Sequence, residues 1–277
     1  MTGQTRWTHL LLAGAAGALC ALLAGCGSDE TETVAETVTV TEGSESATAR
    51  EPDAANAPEP VEPGRPLSSI LSLETPRNAY PIVWVRAGEK VEVRTEPGGG
   101  GEIAERVDRT TEFGSPTVFG VVRRSGDWAA VSTPDLPNGQ LGWVRLDARK
   151  LDAGWTKRSI VVDLSARRAE LRTGDRVTRS FVVTVGMPGA ETPTGRFAVT
   201  DTFRGDLNAA YGCCAVAISA NQPHLPSGWL GGSRIAFHGT SGPLGVAASH
   251  GCVRAADQDV NALVNKVPLG TPVFIRA

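Results

Sequence analysis

The residues best suited to nucleophilic chemistry are a thiol and an imidazole near the C-terminus. Cys252 follows a Ser-His-Gly run, and His238 closes a predicted β run that begins near Arg234. A free thiol has a pKa of about 8.5 and is mostly protonated at neutral pH, so it needs an imidazole that takes its proton. Backbone N–H groups at a turn around the thiol are also suited to binding an oxyanion. Cys252 and His238 are therefore the candidate nucleophile and general base.

The neighbouring thiols leave alternatives open. Three cysteines lie in this part of the chain, namely Cys213, Cys214 and Cys252. Because the number is odd, at least one thiol is left outside a disulfide. We interpret the adjacent Cys213 and Cys214 first as inert apolar residues. A vicinal disulfide, or a modulating role near the cleft, are the alternatives. Spacing alone does not establish a catalytic pair, because buried cysteines and histidines are common.

A metal site is the competing interpretation of the same side chains. Zinc binding by His238, His250 and Cys252 is a minor alternative, because no Cys-x-x-Cys pair accompanies them. His224 lies between two prolines and is predicted to be a loop residue. We therefore predict neither a metal nor another cofactor.

The segments around the thiol and the imidazole resemble those of one family of cell-wall enzymes. The runs Phe237-His238-Gly239-Thr240 and Ser249-His250-Gly251-Cys252-Val253-Arg254 are similar to the signature of the L,D-transpeptidases. The stretch 192–197, the strand region 211–219 and the ending 267–275 also resemble that family. The interval between His238 and Cys252 is slightly shorter than in many members. The loop over the site is therefore not expected to match theirs in shape, whereas the catalytic pair is unaffected.

The resemblance implies a role for each matching residue. Cys252 would be the nucleophile and His238 the general base, with the Gly239 carbonyl orienting the imidazole. The backbone N–H groups of Gly251 and Cys252 would hold the oxyanion. The family thus implies that this turn combines the nucleophile with its electrostatic support.

The same resemblance implies a set of substrate-binding positions. Ser249 and His250 would shape the site rather than react. Arg254 would hold a substrate carboxylate or brace the loop. Tyr211 matches a cleft-lining position of the family, with packing in the core as the equal alternative.

The implied reaction is an acyl transfer between peptidoglycan stem peptides. The thiolate attacks the carbonyl of the third residue of a tetrapeptide stem and releases D-alanine, and an amine of a neighbouring third residue then forms a 3→3 cross-link. Water in place of the amine would give an L,D-carboxypeptidase.

The family also implies covalent inhibition by carbapenem-type β-lactams. The rival from another class is a catalytically inactive, cell-wall-binding lipoprotein.

The elements that must position these residues form a mostly β domain, predicted over residues 156–277. Short β-type runs are separated by turns such as the one at Gly186. One helix is predicted from Asp257 to Lys266, because apolar residues recur on one face, with Asp257 as its cap. A last strand is predicted at 273–275.

Residues 67–155 are predicted to form a separate, smaller β domain. Short β runs alternate there with Gly- and Pro-rich turns, as in a small barrel, and resemble a bacterial SH3-like domain. Trp128 and Trp143 are interpreted as core residues rather than ligand platforms. Such a domain accompanies many cell-wall enzymes, where it binds peptidoglycan or packs against the catalytic domain.

The N-terminal region predicts export and anchoring. Residues 1–25 contain a basic start and an apolar run too short for a stable membrane span. They end in Leu-Ala-Gly before Cys26, which resembles a bacterial lipobox with Cys26 as the lipidated residue. Residues 26–66 are acidic and Pro-rich, which predicts a disordered tether. The expected location is the outer face of the plasma membrane.

Composition bounds the partners. The 277 residues are 41% apolar with a formal net charge of −3, so no strongly basic excess exists and nucleic acid is not expected as a partner. Without signal and tether, the rest has 24 basic and 20 acidic residues and is mildly positive. That balance suits an anionic polymer substrate.

Overall fold

The computed structural model describes residues 75–205, 207–228 and 232–277. The predicted signal segment, the predicted lipidation site at Cys26 and the predicted tether lie outside these residues. Within the described ranges, no helix is long and apolar enough to cross a membrane. The described chain is mostly β with one α-helix, as the sequence predicts for the fold class.

The first half of the described chain forms one seven-stranded sheet with the strand order β3-β2-β6-β5-β4-β1-β7. The outer strands are β3 and β7, and β7 pairs along its whole length with β1. The SH3-like identity of this sheet stays a prediction. Its strands are β1 (Tyr80–Val85), β2 (Val91–Arg94), β3 (Ile103–Val107), β4 (Val118–Ser125), β5 (Trp128–Val131), β6 (Gly142–Arg145) and β7 (Leu151–Thr156).

This sheet has its own apolar core. Val83, Val93 and Val144 are fully buried, and every other residue of the short strand β2 faces inward. Trp143 is buried, as expected of a core residue, whereas Trp128 is only half-buried, so its assignment to the core stays a prediction. Five of the strands, β1, β2, β4, β5 and β6, coincide with the β-type runs predicted at 83–85, 90–94, 117–122, 128–131 and 142–144, whereas β3 and β7 carry weak β signals.

The second half forms an eight-stranded sheet with the order β10-β9-β8-β17-β12-β13-β14-β16, together with a separate pair of short strands, β11 and β15. Its strands are β8 (Arg158–Asp163), β9 (Arg168–Thr173), β10 (Arg176–Val182), β11 (Val185–Gly186), β12 (Gly195–Arg204), β13 (Cys214–Asn221), β14 (Arg234–Gly239), β15 (Ala247–Ser249), β16 (Val253–Ala255) and β17 (Pro272–Arg276).

The edge of this sheet brings the predicted chemistry together. Strand β14 runs antiparallel to β13 and parallel to β16. The parallel register aligns His238 with Arg254, and β16 begins immediately after Cys252. Because paired strands are about 4.8 Å apart, this register holds the imidazole and the thiol at the same end of the sheet.

The single α-helix, α1 (Asp257–Lys266), has the predicted boundaries. Val260, Leu263 and Val264 are buried on its inner face and belong to the same core as β13 and β14. The predicted cap is wrong. Ala256 is the N-cap residue and makes no side-chain capping bond, while the Asp257 carboxylate accepts the backbone N–H of Cys213 at 3.2 Å.

The two sheets contact each other through polar groups. The Asn138 side-chain amide donates to the Asn221 carbonyl at 2.6 Å, and its oxygen accepts the Asn221 N–H at 2.9 Å. Arg196 of β12 donates to the Val121 carbonyl of β4 at 3.0 Å. Burial lowers the pKa of the Arg196 guanidinium below its ordinary value. These bonds hold the first sheet against β12 and the end of β13 in the second sheet.

Candidate active site

One cleft at the end of β14 and β16 gathers the predicted residues. Tyr211, His238, His250, Cys252 and Arg254 all line it. Ser249, Gly239 and Gly251 were also predicted at the site, and they contact this group without lining the cleft. The tertiary structure therefore assembles in one place residues that the sequence divides between two motifs and a distant tyrosine.

His238 is buried and held by its neighbour. Its Nδ1 lies 2.8 Å from the Gly239 carbonyl oxygen. A carbonyl oxygen only accepts, so this bond requires the hydrogen on Nδ1 and leaves Nε2 of the neutral ring as a proton acceptor. The Tyr211 ring stands edge-on to the imidazole with centroids 4.9 Å apart. The arrangement suits a general base with a fixed tautomer.

Cys252 is half-buried at the end of a turn that Ser249 organises. The Ser249 hydroxyl donates to the Cys252 carbonyl at 2.6 Å and accepts the Gly251 N–H at 3.2 Å. Ser249 is fully buried, so its side chain shapes the turn rather than the surface of the cleft. The Gly251 N–H donates to the Ser249 hydroxyl in this structure, so its role as a donor to the oxyanion stays a prediction.

Gly251 occupies a backbone position that only glycine fits. Its φ of 109° is one that L side chains rarely adopt. A Cβ there would lie 2.2 Å from Gln222 Nε2 and 2.9 Å from Ile235 Cδ1. The turn before Cys252 therefore packs against the Gln222 and Ile235 side chains with no room for a Cβ at position 251.

Two residues that hold this turn were not assigned a role from the sequence. The buried Thr192 hydroxyl donates to the Gly251 carbonyl at 2.8 Å and accepts the Gly186 N–H at 2.9 Å. The buried Gln222 amide donates to the His250 carbonyl at 3.0 Å. Thr192 lies in a stretch that carried the family resemblance, whereas nothing in the sequence around Gln222 signals its role.

The favoured interpretation of the adjacent cysteines is wrong. Cys213 and Cys214 form a vicinal disulfide, which leaves Cys252 as the one cysteine of the described residues outside a disulfide. The bonded pair follows the turn that carries Tyr211. Gly212 lies between Tyr211 and the bonded pair, and a Cβ on it would lie 2.7 Å from the Gly239 backbone. This turn therefore packs directly against the residue that orients His238.

The remaining candidates, His250 and Arg254, also line the cleft. Both are half-buried. The Arg254 backbone pairs with Thr184 through two bonds of 2.8 and 2.9 Å, which fixes the start of its side chain. His224 is exposed in a loop, as predicted. Among the residues that the structure describes, no group of three or more His, Cys, Asp or Glu side chains is placed to hold a metal.

Comparisons with known proteins match the second half of the chain. Residues 157–275 match the family model for YkuD, the L,D-transpeptidase catalytic domain. YkuD of Bacillus subtilis (strain 168) is 31% identical over 118 residues, which are 42% of this chain and 64% of that protein. YkuD of Bacillus licheniformis is 30% identical over the same shares.

Solved structures give matches of the same extent. The L,D-transpeptidase from Xylanimonas cellulosilytica DSM 15894 is 25% identical, with a TM-score of 0.34 over 44% of this chain and 61% of that chain. The chain thus spans less than two thirds of the length of the curated relatives it matches. The family resemblance seen in the sequence is confirmed for residues 157–275.

Proposed function

We propose that this chain is a peptidoglycan L,D-transpeptidase that forms 3→3 cross-links through a thioester on Cys252. The observation that carries the proposal is the cleft in which Cys252 and His238 lie together, with Nδ1 of His238 bonded to the Gly239 carbonyl. The match of residues 157–275 to the catalytic domain of that family supports the same assignment.

The first step is acylation of the thiol. Nε2 of His238 takes the Cys252 proton, and the sulfur attacks the carbonyl carbon of the third residue in a tetrapeptide stem. A C–S bond forms, the peptide C–N bond to D-alanine breaks, and the imidazolium returns its proton to the leaving amine. D-alanine departs and the stem remains bound to Cys252 as a thioester.

The second step is transfer to an amine of a neighbouring stem, typically a diaminopimelate side chain. The amine nitrogen attacks the thioester carbonyl and gives a proton to His238. The new C–N bond is the cross-link, and the C–S bond breaks to regenerate the thiol. Water as the acceptor makes the same site an L,D-carboxypeptidase.

Cross-link formation tests the proposal directly. The full chain is incubated with a disaccharide–tetrapeptide, and the products are separated by chromatography and identified by mass spectrometry. We expect dimers and free D-alanine from the wild type and neither from Cys252→Ala. His238→Gln should abolish both products, whereas His224→Gln, at an exposed loop imidazole, should retain them.

Other outcomes would assign the alternatives. Tripeptide and D-alanine without dimers would make the chain a carboxypeptidase. No product from the folded protein, together with no covalent adduct on Cys252 after exposure to a carbapenem, would favour the inactive wall-binding lipoprotein. Dimers that persist in Cys252→Ala would contradict the nucleophile assignment.

We also propose that Cys26 carries the lipid that anchors the protein at the outer face of the plasma membrane. The support is the sequence alone, in which Cys26 follows Leu-Ala-Gly at the end of an apolar run. Two acyl chains on such a residue give durable anchoring. Cys26→Ala should shift the exported protein from the membrane fraction to the soluble fraction; an unchanged distribution would contradict the proposal.

A further inference from the structure

The disulfide between Cys213 and Cys214 is a reactive group beside the cleft that the proposed mechanism does not use. Its sulfurs belong to adjacent residues, so the bond closes a small ring with the peptide group between them. Cys214 is the first residue of β13 and is buried, whereas Cys213 is half-buried. The side of Cys213 is therefore the one from which a thiolate can reach the bond.

The pair lies next to the general base in the sheet. The register of β13 on β14 places Ala215 opposite His238. Cys214 immediately precedes Ala215, so the disulfide is one residue away from the strand partner of His238. A change in the backbone at Cys214 therefore acts on the end of β14 that carries the imidazole.

The turn before the pair carries Tyr211 and is bonded within itself. The Asn208 side chain accepts the Ala210 N–H at 2.9 Å, and the Asn208 carbonyl accepts the Tyr211 N–H at 2.9 Å. The Tyr211 ring stands with its centroid 4.9 Å from that of the His238 ring. The backbone that presents this ring to the imidazole is thus a compact turn that leads directly into Cys213.

The segment between this turn and the pair is in close contact with the residue that orients His238. A Cβ on Gly212 would lie 2.7 Å from the Gly239 backbone, and a Cβ on Gly239 would lie 3.0 Å from the Cys213 nitrogen. The Asp257 carboxylate accepts the Cys213 N–H at 3.2 Å, which ties the pair to the start of α1. Because close-packed groups leave no free space to absorb a shift, a movement of Cys213 reaches the Gly239 carbonyl that bonds Nδ1 of His238.

We infer that the Cys213–Cys214 disulfide is a redox-active site that reacts with a dithiol reductant and controls the reactivity of the catalytic pair. In the disulfide state the ring holds the Gly239 carbonyl where it fixes the tautomer of His238. Reduction opens the ring, loosens the turn and slows the attack by Cys252. The inference rests on the proposed transpeptidase function for the reaction that is slowed.

The exchange balances between the disulfide and the dithiol. A thiolate of the dithiol attacks the Cys213 sulfur, a mixed disulfide forms, and the bond to Cys214 breaks. Cys214 leaves as a thiolate and takes the proton that the first thiol of the reductant gave up. The second thiol of the reductant loses its proton and attacks the first in the mixed disulfide, which releases Cys213 to take that proton. The reductant supplies both electrons and ends as an intramolecular disulfide.

The first test measures the state of the pair. The full chain, isolated without reductant, is denatured and labelled with iodoacetamide before and after treatment with dithiothreitol, and peptide mass spectrometry locates the label. Of Cys213, Cys214 and Cys252, we expect only Cys252 to be labelled before reduction and all three afterwards. Label on Cys213 and Cys214 before reduction would overturn the inference.

The second test measures the effect on the nucleophile. The rate at which a carbapenem acylates Cys252 is compared in the untreated chain and in the chain that was reduced and then freed of dithiothreitol. We expect reduction to slow acylation by roughly 10-fold, because the base is no longer held in position. The double variant Cys213→Ala, Cys214→Ala lacks the ring and should be slow both with and without dithiothreitol, which separates the pair from any effect of the reductant on Cys252.

A third measurement does not depend on catalysis. The imidazole ¹⁵N chemical shifts report the tautomer and the pKa of a histidine, and they are recorded in Cys252→Ala before and after reduction. We expect the His238 resonances to change on reduction. Those of His224, which is exposed in a loop, should stay the same and show that the chain remains folded.

The outcomes separate this inference from the proposed function. An equal or faster acylation rate after reduction, or unchanged His238 resonances, would overturn the inference and leave the transpeptidase assignment standing. A double variant that is as fast as the untreated wild type would overturn it as well. If neither redox state is acylated, the proposed function is contradicted, and the His238 resonances then decide whether the disulfide controls the imidazole.

Discussion

Thr192 and Gly251, far apart in the sequence, are joined by a buried hydrogen bond of 2.8 Å from the threonine hydroxyl to the glycine carbonyl. The same hydroxyl accepts the Gly186 N–H, so one side chain ties the end of β11 to the turn before Cys252. The position of the nucleophile therefore depends on a residue that takes no part in the chemistry.

Thr192→Val should lower the reactivity of Cys252. The change leaves the Gly251 carbonyl and the Gly186 N–H without their partner, which costs about 2–4 kcal/mol of stability in total. A displaced turn should slow acylation of Cys252 by a carbapenem by roughly 10- to 100-fold. Stopped-flow acylation rates and urea unfolding measure the two effects. Thr192→Ser keeps the hydroxyl and should keep most of the rate, and a slow Thr192→Ser variant would contradict the role of this bond.

Gly251→Ala should be more damaging than an alanine at an equally unusual backbone position. Here the strain of positive φ adds to contacts of 2.2 and 2.9 Å with Gln222 and Ile235, for a cost of about 3 kcal/mol or more. At Gly189 the φ is 85° but nothing lies within 4 Å of a Cβ, so Gly189→Ala should cost only about 1–2 kcal/mol. Chemical denaturation measures the free energy of unfolding of both variants. Equal losses of stability would show that the contacts at Gly251 relax without cost.

Asn138→Ala should loosen the contact between the sheets. The side-chain amide of Asn138 satisfies both backbone groups of Asn221, and its removal leaves them unpaired at a cost of about 1–3 kcal/mol. Hydrogen exchange at the Asn221 amide should accelerate. Asn138→Asp retains an acceptor for the Asn221 N–H and should protect that amide better. Unchanged exchange in Asn138→Ala would show that this contact does not hold the sheets together.

Asp147 should lose its charge only in strong acid. The Arg149 side chain and backbone N–H bond its carboxylate and lower its pKa from 3.8 to about 2. A lowered pKa means that the native state favours the ionised form. The stabilisation is therefore present above pH 4 and is lost as the pH falls towards 2.

The pair is near the surface, with Arg149 largely exposed, so the stabilisation should stay below about 1 kcal/mol. An NMR titration should give a midpoint near 2 for Asp147 in the wild type and a higher one in Arg149→Ala. Asp147→Asn should remove the corresponding pH dependence of unfolding. A wild-type midpoint near 3.8 would contradict the prediction.

Local patterns predicted the elements whose signals are strong. The helix Asp257–Lys266 was predicted with its boundaries, because its apolar spacing is regular and a Pro-Leu-Gly run follows it. Strand β3 was missed because Ile103–Val107 contains Ala, Glu and Arg and is half exposed. Its place comes from pairing with β2, which a local pattern does not contain.

The two wrong predictions near the site, the Asp257 cap and the unbonded Cys213 and Cys214, have the same cause. Asp257 has the residue type and position of a helix cap, yet its carboxylate bonds the Cys213 N–H because β13 brings that group within reach. The disulfide between Cys213 and Cys214 was one of three open interpretations. In each case the side chain's partner lies on another segment of the fold.

The sequence by itself determined the types of the reacting groups, because the motifs around His238 and Cys252 are contiguous and the family resemblance rests on them. Only the tertiary structure decided what surrounds them. The register of β14 on β16 and the bonds of Thr192 and Gln222 to the turn all join segments that are separated in the chain. Such contacts depend on how sheets pair and pack, which no local run of residues encodes.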